Sequence, residues 1–231
     1  MTRINTTPIY QSYGGQPSRW NWHFIGKRAF DMTACIIFLP LLLPVMALIA
    51  LIIMLDSPGN PIFVQERIGR RGRRFKIYKF RTMKPGIDTK YHRQYMQAYI
   101  AGELQSESSR HARPVFKPLT EQDYTRVGYL LRKYSLDELL QVFNVLKGEM
   151  SLVGPRPNVP WEVEKYNLWH TSRLDVLPGI TGLAQVNGRS TLTFDEIVRN
   201  DLRYVMKHSF ILDFKILWLT LRGLLSGHGA S

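Results

Sequence analysis

Two neighbouring stretches hold the side chains that could do chemistry: Ser135-Leu136-Asp137-Glu138-Leu139-Leu140-Gln141 and Met150-Ser151-Leu152-Val153-Gly154-Pro155-Arg156-Pro157. The first reads as a helix start. Ser135 is a good N-cap with Glu138 at capping-box spacing, and Leu136, Leu139, Leu140, Phe143 and Leu146 follow at helical spacing toward Gly148. On that reading Glu138 bonds back to the Ser135 amide and Asp137 complements the helix dipole. The same geometry suits catalysis. A carboxylate in the first turn lies in the positive field that also holds phosphate. That field keeps Asp137 ionised and draws in an anionic substrate, while Glu138 could hold a metal ion or handle a proton. The pattern leaves both readings open. Arg156, with proline on either side to fix the backbone, is either pre-organised for bidentate phosphate binding or a simple exposed turn arginine.

The elements that must position these residues follow from composition. A chain of 231 residues is enough for one domain with a sizeable core and an added arm. Lys and Arg number 31 against 18 Asp and Glu, a net charge of +13. Such a balance points to anionic partners: nucleic acid, anionic lipid head groups or phosphorylated substrates. The single cysteine, Cys35, excludes an internal disulfide and a cysteine-based zinc site. Residues 1–26 read as a polar, turn-rich tail whose Trp20, Trp22 and Phe24 either anchor at a membrane–water interface or pack as an ordinary aromatic patch.

Residues 32–55 carry no charge and meet the length of a bilayer span, about 20 residues. The run starts too late and is too long for a signal peptide, and no small-residue cleavage site follows it. Pro40 and Pro44 remove backbone donors near its middle and favour a kink. Both flanks are basic, with Arg19, Lys27 and Arg28 before and Arg67, Arg70, Arg71, Arg73 and Arg74 after. The positive-inside bias therefore wants both ends on the cytoplasmic side. A re-entrant helix that dips in, bends at Pro40 and Pro44 and returns satisfies both constraints.

Beyond the turn chemistry of residues 56–61, Ile62-Phe63-Val64-Gln65 and Phe75-Lys76-Ile77-Tyr78-Lys79-Phe80-Arg81 read as two strands joined by a basic hairpin turn. Phe75, Ile77 and Lys79 fall on one face and Lys76, Tyr78 and Phe80 on the other, so two-sided burial or a bulge is expected. The basic turn is a solvated loop or a head-group contact. Residues 85–122 look like an insert, helical around Tyr91, Tyr95, Met96 and Tyr99 and then a surface loop, with no chemistry of its own. Further helices are expected over residues 123–133, 161–173, 193–207 and 210–225, with a short strand among the turn residues of 177–189. The last helix is core or lies on the membrane surface, which periodicity does not decide. No Walker A loop, dinucleotide Gly-rich loop, His-x-x-x-His helix or internal repeat is present.

Several motifs in order carry a family resemblance. They are Lys27-Arg28-Ala29-Phe30-Asp31 before the apolar run, Gln65-Glu66-Arg67-Ile68-Gly69, Phe75 through Arg81-Thr82-Met83, Leu131-Arg132-Lys133-Tyr134-Ser135-Leu136-Asp137-Glu138-Leu139, Phe143-Asn144-Val145-Leu146-Lys147-Gly148-Glu149 into Pro155-Arg156-Pro157, and Pro178-Gly179-Ile180-Thr181-Gly182 through Asn187-Gly188-Arg189. Together they closely resemble the bacterial sugar transferases, the monotopic polyprenyl-phosphate phosphoglycosyl transferases. The resemblance implies an α/β, mostly α, monotopic membrane protein. Its parts would be a tail (1–26), a kinked re-entrant helix (27–58), and a small cytoplasmic catalytic domain (59–231) with interfacial helices and a β-hairpin.

It also implies an enzyme at the bacterial inner membrane that moves a phosphosugar from a UDP-sugar onto undecaprenyl phosphate, the first membrane step of capsule, exopolysaccharide or O-antigen assembly. Asp137 would be the nucleophile that forms an aspartyl-phosphosugar and releases UMP. Glu138 would be the second acid, associated with Mg²⁺. Lys79, Arg81, Arg132, Arg156, Gln185, Arg189 and Asp201 would bind substrate. Membrane lipid is an implied partner, nucleic acid is not, and a homodimer stays open. Two positions depart from the pattern: Leu43-Pro44, with an additional Pro40, stands where relatives often have Ser-Pro, and Leu140 where many have Pro. The competing readings are a non-catalytic, membrane-anchored protein that binds anionic lipid or nucleic acid, and a transferase in which Asp137 acts as a general base for direct attack by the lipid phosphate.

Overall fold

The structure, a computed structural model, describes residues 19–87, 90–102, 121–188 and 191–225. Arg189, the early tail and residues 103–120 of the insert lie outside the described residues.

The apolar run forms most of one long helix, α1 (Arg19–Asp56), which continues through Pro40 and Pro44. Its most apolar stretch has a mean hydropathy of 3.0, and only 17% of that window is buried. A core helix would be mostly covered, whereas Ile37, Phe38, Leu41, Leu48 and Leu55 all stand exposed. One stripe is covered: Met46, Ile49 and Ile53, at helical spacing, join Cys35 in the main core. Full burial of each such aliphatic stabilises by about 1.5–3 kcal/mol.

Both ends of α1 are tied to the rest of the chain. Near its start, the Arg28 guanidinium donates to the carbonyls of Val145 and Leu146. Lys27 pairs with Asp213 at 2.6 Å, and the Ser151 hydroxyl donates to buried Asp31 at 2.6 Å. At its far end the Asp56 carboxylate accepts from the Val127 amide. Arg81 donates to the carbonyls of Ser57 and Pro58.

Strands β1 (Ile62–Ile68) and β2 (Arg74–Phe80) pair antiparallel, as the sequence leads one to expect. Their turn closes with the Gly69 amide on the Arg73 carbonyl, and Arg71 takes a left-handed conformation (φ 56°). Both faces of β2 are covered. Phe75 and Ile77 are buried on one face and Phe80 on the other, so no polar–apolar alternation could appear in the sequence. Helix α2 (Lys90–Ala101) buries Met96, Tyr99 and Ile100, and α3 (Arg126–Lys133) starts at Thr125, whose hydroxyl accepts from the Gly128 amide.

The expected helix from Ser135 onward takes a different form. Ser135 is left-handed (φ 52°) and makes no side-chain cap, residues Leu136–Gln141 form 3₁₀ turns, and the α-helix proper, α4, is only Val142–Lys147. Gly148 ends it in a left-handed conformation, as expected. Strands β3 (Ser151–Val153) and β4 (Gly179–Thr181) then pair in parallel. Between them, the single helix expected over 161–173 is split into α5 (Pro160–Val163) and a 3₁₀ run, Leu168–Asp175.

The C-terminal part holds α6 (Leu183–Asn187), α7 (Phe194–Lys207) and α8 (Phe210–Leu225). Thr193 and Glu196 form a capping box at the start of α7. Helix α8 has a buried side and an exposed apolar side. Asp213 and Ile216 are buried, while Ile211, Phe214, Trp218 and Leu221 project outward. Asp213 accepts from Tyr204 at 2.8 Å as well as from Lys27, so α8 is locked beside the start of α1.

Candidate active site

The left-handed turn at Ser135 decides where the two acids point. Glu138 does not reach back to the Ser135 amide. Its Oε1 atom instead accepts from Lys79 Nζ at 2.7 Å and from Arg156 Nη2 at 2.9 Å. The capping-box expectation therefore fails because the turn begins in a conformation a cap residue does not adopt, and because two cations compete for the carboxylate. Asp137 beside it is buried, with 7% of its surface exposed.

Each cation arrives on its own element. Lys79 lies on the inward face of β2, and β2 is fastened to α4 by Asn144. The buried Asn144 amide donates to the Lys76 carbonyl at 2.7 Å, and its oxygen accepts from the Tyr78 amide. Arg156 follows β3, where the backbones of Gly154 and Gly179 touch. A Cβ at Gly154 would run into the Leu177 carbonyl, and one at Gly179 into Gly154 itself. The loop is braced from beneath: Arg67 donates to the Pro157 carbonyl at 3.0 Å and Arg173 to the Arg156 carbonyl at 3.2 Å.

The local fields follow from this packing. Burial would raise the Glu138 carboxyl, but the charges and hydrogen bonds of Arg156 and Lys79 outweigh it and hold the group well below the usual carboxylate range. Burial pushes Asp137 the other way, with the Glu138 charge adding to it and Lys79, Arg132 and Arg156 opposing. Packing therefore works against the ionisation that a helix field would favour at Asp137. Lys79 falls to about 8, because burial and the neighbouring Arg156 charge together exceed the pull of Glu138. The carboxylate between two cations is lowered by both, and in turn it raises Arg156, while at Lys79 burial prevails over it.

Comparison with known proteins gives the family. The model of the bacterial sugar transferase family matches residues 22–227. The galactosyl transferase CpsE of Streptococcus agalactiae serotype III (strain NEM316) is 41% identical over 210 residues, covering 90% of this chain and 44% of that protein. An undecaprenyl-phosphate glucose phosphotransferase of Komagataeibacter xylinus is 39% identical, over 87% of this chain and 36% of its own. The exopolysaccharide production protein ExoY of Rhizobium meliloti (strain 1021) is 34% identical, over 89% of this chain and 88% of its own. The chain belongs to the bacterial sugar transferase family. It spans less than half the length of the first two relatives and most of the third.

Within this fold, Lys79, Glu138 and Arg156 meet directly beside Asp137. Arg132 stacks on the Tyr124 ring at 4.9 Å and contributes its charge to Asp137. Three of the other expected site residues make contacts within the fold. Arg81 clamps the turn after α1. Gln185 donates to the Ile180 carbonyl. Asp201 is buried against Arg173 at 2.5 Å, and burial raises its carboxyl to about 6 despite that partner. Asp201 is thereby linked to the site through Arg173, which holds the Arg156 backbone. Sequence reasoning missed Arg67, Asn144 and Arg173 as supports. Their signal was present only as polar residues inside otherwise structural motifs.

Proposed function

We propose that this sugar transferase moves a phosphosugar from a UDP-sugar to undecaprenyl phosphate through a covalent aspartyl-phosphosugar. The observation that carries the reading is the Glu138 carboxylate held between Lys79 and Arg156, immediately beside buried Asp137. A carboxylate oxygen of Asp137 attacks the phosphorus that bears the sugar, the bond to the UMP oxygen breaks, and UMP leaves. An oxygen of the lipid phosphate then attacks the same phosphorus and frees the Asp137 carboxylate. Lys79, Arg132 and Arg156 neutralise charge on the phosphoryl oxygens. Burial makes Asp137 a more basic carboxylate and so a better nucleophile once ionised.

Among the described residues no three metal-ligating side chains are gathered where Mg²⁺ could bind. Adjacent carboxylates do suit its habit of binding through one or two of them together with substrate phosphates. Asp137 and the Oε2 atom of Glu138 would hold it, and when bound it supplies further neutralisation of the diphosphate.

The names of two relatives, an undecaprenyl-phosphate glucose phosphotransferase and a UDP-N-acetylgalactosamine-undecaprenyl-phosphate N-acetylgalactosaminephosphotransferase of Aeromonas hydrophila, support this substrate pair. The placement at the cytoplasmic face is supported by the two ends of α1, where Arg28 and Asp56 are both tied to the rest of the chain, and by Pro40 and Pro44, which favour a bend between them. The exposed apolar face of α8 supports its lying on the bilayer. In this reading residues 27–58 are the hook and 59–231 the catalytic domain.

The test is Asp137→Asn in purified protein given donor and no lipid. The wild type should release UMP once per chain and retain labelled phosphosugar. The variant should do neither while still partitioning to membranes. Undiminished UMP release by the variant removes Asp137 from the mechanism, and release without retained label favours direct attack by the lipid.

A further inference from the structure

We propose that Phe63, on the exposed edge of β1, is the docking residue for the first isoprene units of the polyprenyl phosphate acceptor. This rests on the transferase reading above. Three consecutive apolar residues, Ile62, Phe63 and Val64, stand 41%, 47% and 46% exposed on an edge strand. Strand edges of this kind invite association unless something covers them.

The register places this edge beside the cation at the candidate site. Phe63 pairs directly across from Lys79, so the two side chains share a face, with Cβ atoms about 5.5 Å apart. Lys79 is the cation on Glu138, beside the Asp137 nucleophile. On its other side Phe63 lies just past the turn that ends the membrane helix. There Asn60 caps the Ile62 amide at 2.8 Å, and Arg81 fixes Ser57 and Pro58. The ring therefore bridges the membrane exit and the phosphoryl-binding cation. An amphiphile with a phosphate on an apolar chain fits that sequence of surfaces: phosphate toward Lys79, first prenyl units on Phe63, the remainder running to the exposed face of α1. A soluble nucleotide would make no use of the apolar rim. Ile62 and Val64, on the opposite face of the strand, extend the rim toward lipid.

The experiment separates the two half-reactions in the full chain reconstituted in nanodiscs. UMP release without acceptor reports the donor half, and transfer to undecaprenyl phosphate reports the acceptor half. Phe63→Ser should raise the acceptor KM about fivefold, from the half-exposed ring's share of apolar burial. The UMP burst and the donor KM should stay as they are, and Phe63→Leu should restore much of the acceptor KM. An unchanged acceptor KM in Phe63→Ser, beside a wild type that works normally, overturns the proposal alone. Loss of vesicle co-sedimentation in step with the KM assigns the rim to bulk lipid instead. A fall in molar mass by light scattering assigns it to a second copy of the chain. A wild type that releases no UMP with any donor overturns the transferase reading itself.

Discussion

Removing Lys79 tests the arrangement of one carboxylate between two cations. Lys79 and Glu138 have side chains only 13% and 12% exposed and meet at 2.7 Å. Breaking a buried pair by deleting one partner costs about 3–5 kcal/mol when the other charge is left alone. Here Glu138 keeps Arg156 at 2.9 Å, whose side chain is 46% exposed and partly screened. Lys79→Met should therefore cost less, about 2 kcal/mol. Glu138→Gln leaves two cations facing one another and should cost about 3 kcal/mol. The double variant removes one cation and the carboxylate together, so its loss should fall short of the sum by about 2 kcal/mol. For a chain of this size each kcal/mol moves Tm by about 2–4 °C, so Lys79→Met should melt about 4–8 °C lower. Thermal unfolding of the four proteins in one detergent, followed by tryptophan fluorescence, completes the cycle. Additive Tm shifts would refute the shared-carboxylate account.

Other expectations follow from the same geometry. Because Lys79 titrates at about 8 in the free protein, kcat/KM should fall as pH rises through that value, and Lys79→Arg should move the alkaline limb upward. The Glu138 carboxyl is held below its unfolded value, so its stabilising effect is present above about pH 4.3 and is lost as pH falls further. Acid unfolding of Glu138→Gln should accordingly lack that part of the pH dependence. Arg156→Lys keeps a charge but loses the planar fork, and should lower kcat/KM at least tenfold with little change in Tm; an unchanged kcat/KM would mean that charge alone suffices. Arg173→Met strands Asp201 in the core and frees the Arg156 carbonyl. It should destabilise by about 3–5 kcal/mol, with Asp201→Asn in the same background recovering part of that loss in a denaturant titration.

Much of this arrangement was legible in the chain. The hairpin of β1 and β2, the helices α7 and α8, the end of α4 at Gly148 and the apolar run of α1 all appear where period and turn residues put them. The importance of Asp137, Glu138, Lys79 and Arg156 came from motifs in order rather than from spacing alone. The misreadings have physical causes. At Ser135 a local cap signal was overridden by two cations brought from β2 and from the loop after β3, and no local pattern encodes a competitor that distant in sequence. Over residues 161–173 the helical period was real, but the chain breaks there, burying Glu162 against Asn158 and the Val159 amide, and His170 and Arg173 against Tyr166 and Phe194.

The sequence by itself determined the class of the molecule: a basic chain, an uncharged apolar segment with basic flanks, an adjacent acid pair and a proline-fixed arginine. These are properties of residue type and order. Tertiary structure decided the protonation tendencies and the division of labour. It turned Glu138 from a cap into the shared partner of two cations, buried Asp137, gave Arg81 and Asp201 bracing contacts, and placed Phe63 opposite Lys79. Charge and burial act through space, and only folding fixes those distances.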